Sequence, residues 1–344
     1  MMDKPRILLT GGLGFIGSHT AVELINQGFE VVIVDNLSNT TEAPLLGIEK
    51  ITGICPTFEK VDLSKYDEVA DFFSRFNHFE GIIHFAAFKA VGESYKLPLK
   101  YYTNNLTSLS LLLEKCLQLN IKNLIFSSSC TVYGETDQLP INENSPIQPA
   151  LSPYGNTKQI GEEIIQDTIR VNEWLRCISL RYFNPIGAHP TAEIGELPIG
   201  PPLNLVPYVT QTGAGIREQL QVFGDDYQTS DGTNVRDYIH VVDVAKAHVI
   251  ALSRLLENKN ESNYEVFNLG TGMGSSVLQV IKAFEKISAR PLNYKIVERR
   301  RGDVTAAYAD TSKANTVLGW KSELNLEDAM RDAWRWEKKI RNIL

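Results

Sequence analysis

Apolar positions along the first half of this chain follow two spacings. Short runs with few polar interruptions, Arg6–Thr10, Val31–Asp35, Gly81–Phe85, Asn123–Ser127 and Cys177–Arg181, have the length and aliphatic content of strands buried on both faces. Between them lie longer stretches of helical periodicity, among them Leu99–Asn120 and Thr157–Asn172. Strand and helix in alternation predict an α/β fold, a doubly wound parallel sheet with helices on both faces. Beyond residue 184 the alternation loosens, and Pro, Gly and Asn become frequent, as in Pro198-Ile199-Gly200-Pro201-Pro202-Leu203-Asn204. That change predicts a smaller C-terminal α/β domain of loops and short elements.

The stretch Leu99–Asn120 is apolar around much of its circumference, with Leu106, Leu109, Leu111, Leu112, Leu113, Leu117 and Leu119. A helix with so little polar face packs on two sides. Its second side is covered either within the monomer or by a helix of a second subunit, and the frequency of isologous dimers favours a homodimer.

Composition narrows the function classes. A net charge of −7 and a pI near 5.5 argue against nucleic acid or an anionic membrane as partner. Cys55, Cys116, Cys130 and Cys177 are scattered with no Cys-x-x-Cys pair, and His19, His78, His84, His189, His240 and His248 include no pair at metal-ligand spacing. Reduced thiols and no metal site are expected. The start Met1-Met2-Asp3-Lys4-Pro5 carries no apolar leader segment, and no apolar run is long enough for a membrane span, so a cytoplasmic protein is expected. The run Glu298-Arg299-Arg300-Arg301 reads as a phosphate clamp or as a solvated charged face.

The most constraining motif is Thr10-Gly11-Gly12-Leu13-Gly14-Phe15-Ile16-Gly17, a glycine turn directly after the first strand. Gly11 permits the turn, Gly14 has no Cβ to hold a pyrophosphate away from the backbone, and Gly17 lets the following helix pack tightly on the strand. That helix, expected over Ser18–Gln27, points its unpaired N–H groups and positive dipole end at the phosphates. The second strand ends in Asp35, 24 positions after Gly11. A carboxylate there accepts both adenosine ribose hydroxyls and repels a 2′-phosphate, so the expected cofactor is NAD rather than NADP. Asp62 with Leu63, Lys89 and Ser129 fall at the same carboxyl edge of the sheet, where ligands bind on such folds.

Tyr154 and Lys158 are four apart near the start of a helix, 25 positions after the Ser127-Ser128-Ser129 strand end in the case of the tyrosine. At that spacing they share one helix face. A free phenol, with a pKa near ~10, is a poor base at neutral pH. A neighbouring ammonium and a nicotinamide cation both favour the phenolate, which makes Tyr154 a candidate acid/base with Ser129 as proton relay.

These residues resemble the extended short-chain dehydrogenase/reductases, and within them the branch that inverts UDP-hexoses at carbon 4. The resemblance spans roughly residues 6–340. Beyond the glycine turn it rests on Asp35-Asn36-Leu37, His84-Phe85-Ala86, Lys89-Ala90-Val91-Gly92-Glu93-Ser94, Tyr101-Tyr102-Thr103-Asn104-Asn105, Ser127-Ser128-Ser129 with Thr131-Val132-Tyr133-Gly134, Arg181-Tyr182-Phe183-Asn184-Pro185 and Val235-Arg236-Asp237-Tyr238-Ile239-His240-Val241.

The resemblance implies NAD contacts at Gly11, Gly14, Phe15, Ile16, Gly17, Asp35, Asn36, Asp62, Leu63, Phe85, Ala86, Ala87, Lys89, Asn104, Ser129, Tyr154, Lys158 and Phe183. It implies nucleotide-sugar contacts at Lys89, Ser129, Thr131, Tyr154, Asn184, Asn204, Leu205, Val222, Phe223, Arg236, Arg300, Asp303 and Ala307, with the two arginines near the diphosphate. Tyr154, Ser129 and Lys158 are the implied catalytic set. Residues 1–183 with roughly 236–270 would form the NAD-binding Rossmann domain, and 184–235 with roughly 271–344 the nucleotide-sugar domain. The implied reaction interconverts UDP-galactose and UDP-glucose through a 4-keto sugar and a transiently reduced nicotinamide. Ala307 stands where members restricted to unmodified hexoses carry a bulky tyrosine, which implies room for the N-acetyl group of UDP-GlcNAc and UDP-GalNAc unless Tyr308 closes the pocket.

Two other activities of the same fold are weaker expectations. A 4,6-dehydratase needs an acid/base carboxyl pair just after the serine strand, where Cys130-Thr131 stands. A UDP-uronate epimerase or decarboxylase needs further polar or basic groups for the carbon-6 carboxylate. A non-enzymatic NAD-sensing protein would tolerate loss of Ser129, Tyr154 or Lys158, and all three are present.

Overall fold

The computed structural model describes residues 4–136, 138–300 and 303–343. Six strands come in chain order from the first half: β1 (Arg6–Thr10), β2 (Glu30–Asp35), β3 (Thr57–Lys60), β4 (Gly81–His84), β5 (Asn123–Ser129) and β6 (Arg176–Tyr182). The chain then leaves the sheet through β7 (Asn184–Ile186), β8 (Leu220–Phe223), β9 (Val235–Arg236) and β10 (Tyr238–His240), and returns as β11 (Tyr264–Leu269). The main sheet has spatial order β11-β6-β5-β4-β1-β2-β3. All its pairings are parallel. The chain builds outward from β1 to β3 and then jumps back to β4 beside β1. That reversal opens a crevice at the carboxyl ends of β1 and β4, the place where open α/β sheets bind ligands.

The period of two in each strand sends alternate side chains into two cores. Ile7, Leu9, Ile33, Ile83, Ile125 and Ile178 pack on one face against α1 (Phe15–Asn26), α2 (Ala43–Thr52) and a later helix, Val241–Leu256. Leu8, Val32, Val34, Ile82, Leu124 and Phe126 pack on the other against α3 (Tyr66–Arg75) and, after the short α4 (Val91–Lys96), α5 (Pro98–Leu119) and α6 (Pro153–Val171). A third core, with Val209, Val222, Phe284, Met330 and Trp334, joins β8 to α7 (Leu205–Gly213), α9 (Val277–Ser288) and α10 (Leu326–Ile340), the Val241–Leu256 helix being α8. Here the Phe284 and Trp334 rings meet edge to face at 5.3 Å. The short strands β12 (Ser275–Ser276) and β14 (Ala306–Ala307) flank β9, while β13 (Tyr294–Val297) pairs with β8.

Helix α6 begins at Pro153 and β5 runs to Ser129, each extending beyond the stretch read from the sequence, and three further features differ from expectation. Helix α1 begins at Phe15, three residues before Ser18, because Gly14 already has extended N-cap geometry. Strand β3 has no apolar run to signal it, since an edge strand with its outer residues exposed needs none. Strand β11, with Glu265 and Asn268 interrupting its apolar residues, joins the main sheet from the second half of the chain.

On α5, Leu109, Leu112, Leu113 and Cys116 are buried, whereas Leu106, Leu111, Leu117 and Leu119 are half-buried and Leu99 is 76 % exposed. The monomer therefore covers only one side of this helix completely. Among the described residues no helix is long and apolar enough to cross a membrane, and no cluster of three or more His, Cys, Asp or Glu side chains is placed to hold a metal. All four cysteines are free thiols. Met1–Asp3, and Arg301 of the arginine run, lie outside the described residues.

Candidate functional site

The glycine turn closes on itself through backbone bonds. Gly11 adopts φ 65° and donates its N–H to Val34 O at 2.8 Å, and Gly14 N–H donates to Gly11 O at 3.1 Å. A Cβ on Gly17 would lie 2.5 Å from Gly11 O and 2.7 Å from Gly12 Cα, so only glycine permits this closeness of helix and turn. At Gly14 the sole neighbour of a Cβ would be Gly11 O at 3.2 Å, which leaves that side of the turn open. With α1 starting at Phe15, the N–H groups of Phe15, Ile16 and Gly17 are the helix's unpartnered donors. Such donors fit a pyrophosphate.

Asp35 ends β2 next to this turn and is buried. Its Oδ2 accepts from Leu13 N–H at 3.2 Å and its Oδ1 from Leu37 N–H at 3.0 Å, which anchors the carboxylate and leaves lone pairs on both oxygens. Burial raises its pKa, and the two backbone donors oppose that rise. At the end of β4, Phe85 N–H donates to Thr10 O at 3.0 Å and Ala86 N–H to Thr10 Oγ1 at 3.4 Å, so Phe85, Ala86 and Ala87 run alongside the glycine turn. Leu63 is buried, and Asp62 holds the turn into α3 through Ser64 N–H at 3.0 Å. Asn104 donates to Asn105 Oδ1 at 3.0 Å, and Asn105 in turn fixes both the N–H and C=O of Phe88. Asn36 accepts from Ser38 N–H at 3.0 Å at the mouth of this cradle.

The chemical residues meet at the ends of β5 and α6. Ser152 caps α6, accepting from Gly155 N–H at 3.1 Å, and thereby places Tyr154 in the first helical turn. Tyr154 is buried, with Ser129 facing its phenol. Burial pushes the phenol's pKa well up, and the Ser129 hydroxyl pulls it part of the way back. The expected partnership of Lys158 with the phenol takes a different form. Lys158 Nζ donates to Ser127 O at 2.6 Å and lies 4.9 Å from the Phe126 ring centroid, because the β5 carbonyl is the strong acceptor within its reach. Burial lowers the lysine to about 8, against the raising influence of Glu162.

Phe183, which follows β6, packs with Val132, Tyr133, Ile141 and Ala309, and Cys130 and Ala307 border the same cluster. Ala307 thus lies beside the strand end that carries Ser129. Tyr308 turns the other way: a Cβ on Gly274 would sit 3.2 Å from its ring, which places the ring against Gly274 rather than in that cluster. Thr131 Oγ1 is buried with no partner. Burial pushes the Cys130 thiol up to about 12, so it stays protonated.

The charged residues assigned to substrate gather on β9 and the segment before β14. Arg236 Nη1 donates to Val235 O and Val304 O, both at 2.8 Å, and its Nη2 lies 3.7 Å from Asp303 Oδ1. Arg300 is bidentate on Asp303 at 2.8 and 3.2 Å and lies 5.5 Å from the Phe223 ring centroid. Val222 is buried on β8, and Phe223 ends that strand. Asn184 opens β7, its N–H on Asp237 O at 2.9 Å. Asn204 precedes α7 and Leu205 begins it; the Asn204 amide donates to Glu196 Oε1 at 2.5 Å, and the same carboxylate oxygen lies 3.5 Å from Lys89 Nζ.

Three supporting residues had no role assigned from the sequence, although Arg181 and Asp237 stand in the blocks that carry the resemblance. Asp237, fully buried, accepts from Thr271, Gly272 and Ala309 backbone N–H groups and so ties β9 to the β14 region. Glu162 and Arg181 form a buried ion pair behind β5. On the Glu162 side, its trace in the sequence is the position four residues beyond Lys158, on the same helix face.

Residues 7–270 match the NAD dependent epimerase/dehydratase family. A UDP-glucose 4-epimerase from Bacillus subtilis is 50 % identical over 332 residues, 96 % of each chain. Among solved structures, a UDP-glucose 4-epimerase from Bifidobacterium longum in complex with NAD+ and UDP is similar with TM-score 0.94 and 44 % identity, over 98 % of this chain and all of that one. One from Stenotrophomonas maltophila with bound NAD and formylated UDP-arabinopyranose is similar with TM-score 0.93 and 43 % identity, covering 99 % of this chain and 100 % of the other.

Proposed function

The chain belongs to the NAD dependent epimerase/dehydratase family, and on that premise we propose that it inverts carbon 4 of UDP-hexoses, interconverting UDP-galactose and UDP-glucose. The observation that carries this is the meeting of Ser129 and Tyr154 at the strand edge that also presents the glycine cradle and Asp35. When bound there, NAD supplies reversible hydride acceptance at carbon 4.

The protein's own residues do the rest. The Phe15, Ile16 and Gly17 amides and Asp35 hold the dinucleotide. Tyr154 Oη takes the proton of the sugar's 4-hydroxyl, Ser129 Oγ hydrogen-bonds the same oxygen, and the charge on Lys158 favours the phenolate that results. A buried phenol with a raised pKa is a strong proton acceptor once ionised, and positive charge brought to the site, from the lysine one turn along α6 and from the nicotinamide when bound, offsets its desolvation. Arg236 and Arg300, with fork-shaped guanidinium groups, suit the diphosphate. Around Ala307 the sugar side is lined by Phe183 and Cys130, groups that offer no strong hydrogen bond. Firm anchoring at one end and a loose grip at the other would let the 4-ketose present its opposite face for return of the hydride to carbon 4, while Tyr154 gives the proton back to the 4-oxygen.

The small side chain of Ala307, with the Tyr308 ring turned away towards Gly274, supports acceptance of the UDP-GlcNAc and UDP-GalNAc pair as well. The incompletely covered leucine face of α5 supports an isologous homodimer, and four free thiols suit the reducing cytoplasm. Residues 1–183 with roughly 236–270 serve as the NAD domain and 184–235 with roughly 271–344 as the sugar-nucleotide domain, an assignment supported by the return of β11 to the main sheet.

Incubating the purified protein with UDP-galactose and no added cofactor tests the activity and cofactor retention together. UDP-glucose should form, with a transient absorbance of reduced nicotinamide. Absence of product even with NAD supplied would overturn the assignment.

A further inference from the structure

Glu162 lies on α6 one turn beyond Lys158 and two turns beyond Tyr154. Its side chain is 3 % exposed and that of Arg181 5 %. Glu162 Oε1 accepts from Ser128 Oγ at 2.5 Å and from Arg181 Nε at 2.9 Å, and Oε2 accepts from Arg181 Nη2 at 2.5 Å. Ser128 stands between Ser127, whose carbonyl holds Lys158, and Ser129, which faces the phenol. Arg181 precedes Tyr182, the last residue of β6, and Phe183 beyond it, and lies 4.9 Å from the Tyr133 ring centroid. One carboxylate thus joins the tip of β5, the Tyr154–Lys158 row of α6 and the tip of β6.

Stability alone gives little reason for such a pair, because well-packed apolar residues in its place are often as stable or more so. We propose that Glu162 is a positioning residue for the epimerisation: locked by Ser128 and Arg181, its carboxylate holds the Ser129 strand end against α6 and supports the ammonium that Lys158 places on the Ser127 carbonyl, one turn from Tyr154. The inference rests on the function proposed above.

The surroundings leave Lys158 as the group that answers to Glu162. Facing Glu162 are Lys158 on its own helix, Ser128 on β5, Arg181 and Cys177 on β6, and Tyr264 on β11, with Tyr133 on the far side of Arg181. Facing Lys158 besides Glu162 are His84 on β4 and the Phe126 ring on β5, with Tyr154 one turn back on α6. Burial pushes Cys177 and Tyr264 well up and His84 down to about 3, so all three stay neutral around pH 7. Burial lowers Lys158 to about 8, and Glu162 is the neighbour that raises it.

The experiment compares the wild-type holoenzyme with Glu162→Gln and with Glu162→Gln/Arg181→Gln. The double variant leaves no lone buried guanidinium and covers the case in which the single one fails to fold. kcat and KM are measured against pH, and the Lys158 side-chain carbon resonance, assigned with Lys158→Met, is followed through its titration. Glu162→Gln should move the alkaline limb of kcat and the lysine titration down by about one pH unit, a factor of about 10 in the charged fraction above the pKa, and the double variant, which removes one charge of each sign, should move them the same way by less. KM for the UDP-sugar should change less than about threefold. Glu162→Asp, which keeps the charge, should recover the wild-type limb. An unmoved lysine titration, or a kcat reduced equally at every pH, overturns the proposal. A wild-type enzyme inactive on UDP-galactose would instead sink the functional reading, while the resonance still reports on Glu162.

Discussion

Lys158 Nζ donates a 2.6 Å hydrogen bond to the carbonyl oxygen of Ser127, and the contact sits in a buried place where the lysine's pKa falls to about 8. Two opposite pH dependences follow. The ammonium that favours the Tyr154 phenolate is present below about 8 and lost above it, so kcat should fall on the alkaline side with a midpoint near that value. In the unfolded chain a lysine keeps its proton up to about 10.4. Between these two values the unfolded state binds more protons, so the destabilising contribution of this buried cation is fully present below the window and fades as pH rises through it. Lys158→Met should therefore have a flat, low kcat profile. Its Tm relative to wild type should be most favourable below pH 8 and should decline between pH 8 and 10. A relative Tm that climbs with pH would contradict the assignment.

Tyr154→Phe removes the proton acceptor while keeping the ring that fills the buried space. Epimerisation should drop by a factor on the order of 10² to 10⁴. NAD should remain bound, since the cradle lies on β1, β2 and α1. Undiminished turnover would take Tyr154 out of the mechanism.

The closeness of Gly17 to the turn makes a sharper structural test. A methyl group at this position meets backbone atoms at 2.5 and 2.7 Å, which cannot rotate out of the way. Gly17→Ala should cost about 1–3 kcal/mol of stability and release NAD, read by thermal unfolding and by cofactor content after gel filtration. A variant that keeps full NAD occupancy and wild-type Tm would mean that the turn yields more easily than its packing indicates.

Ala307→Tyr addresses substrate range. The added ring would enter the space beside Phe183 and Cys130. Turnover of the UDP-GlcNAc and UDP-GalNAc pair should fall at least tenfold relative to UDP-galactose, and kcat/KM for both pairs on both proteins provides the check. Failure of the wild type to turn over the N-acetyl pair would end the broader specificity.

Local sequence determined the parts that depend on local chemistry. The aliphatic runs of β1, β2, β4, β5 and β6, the glycine turn and the Tyr154–Lys158 spacing are legible because strand alternation, glycine's conformational freedom and helix periodicity act within a few residues. Strand β3 was not legible, since a short polar edge strand forms through pairing with β2 and has no apolar pattern of its own. Only the tertiary structure decided that Tyr264–Leu269 joins β6 and that Tyr308 turns towards Gly274. It also decided that the Lys158 ammonium sits on a strand carbonyl and that Glu162, one turn on, clamps Arg181. Burial and partners far apart in sequence set those outcomes: an ionisable side chain's desolvation and its choice of acceptor exist only once distant segments have packed together.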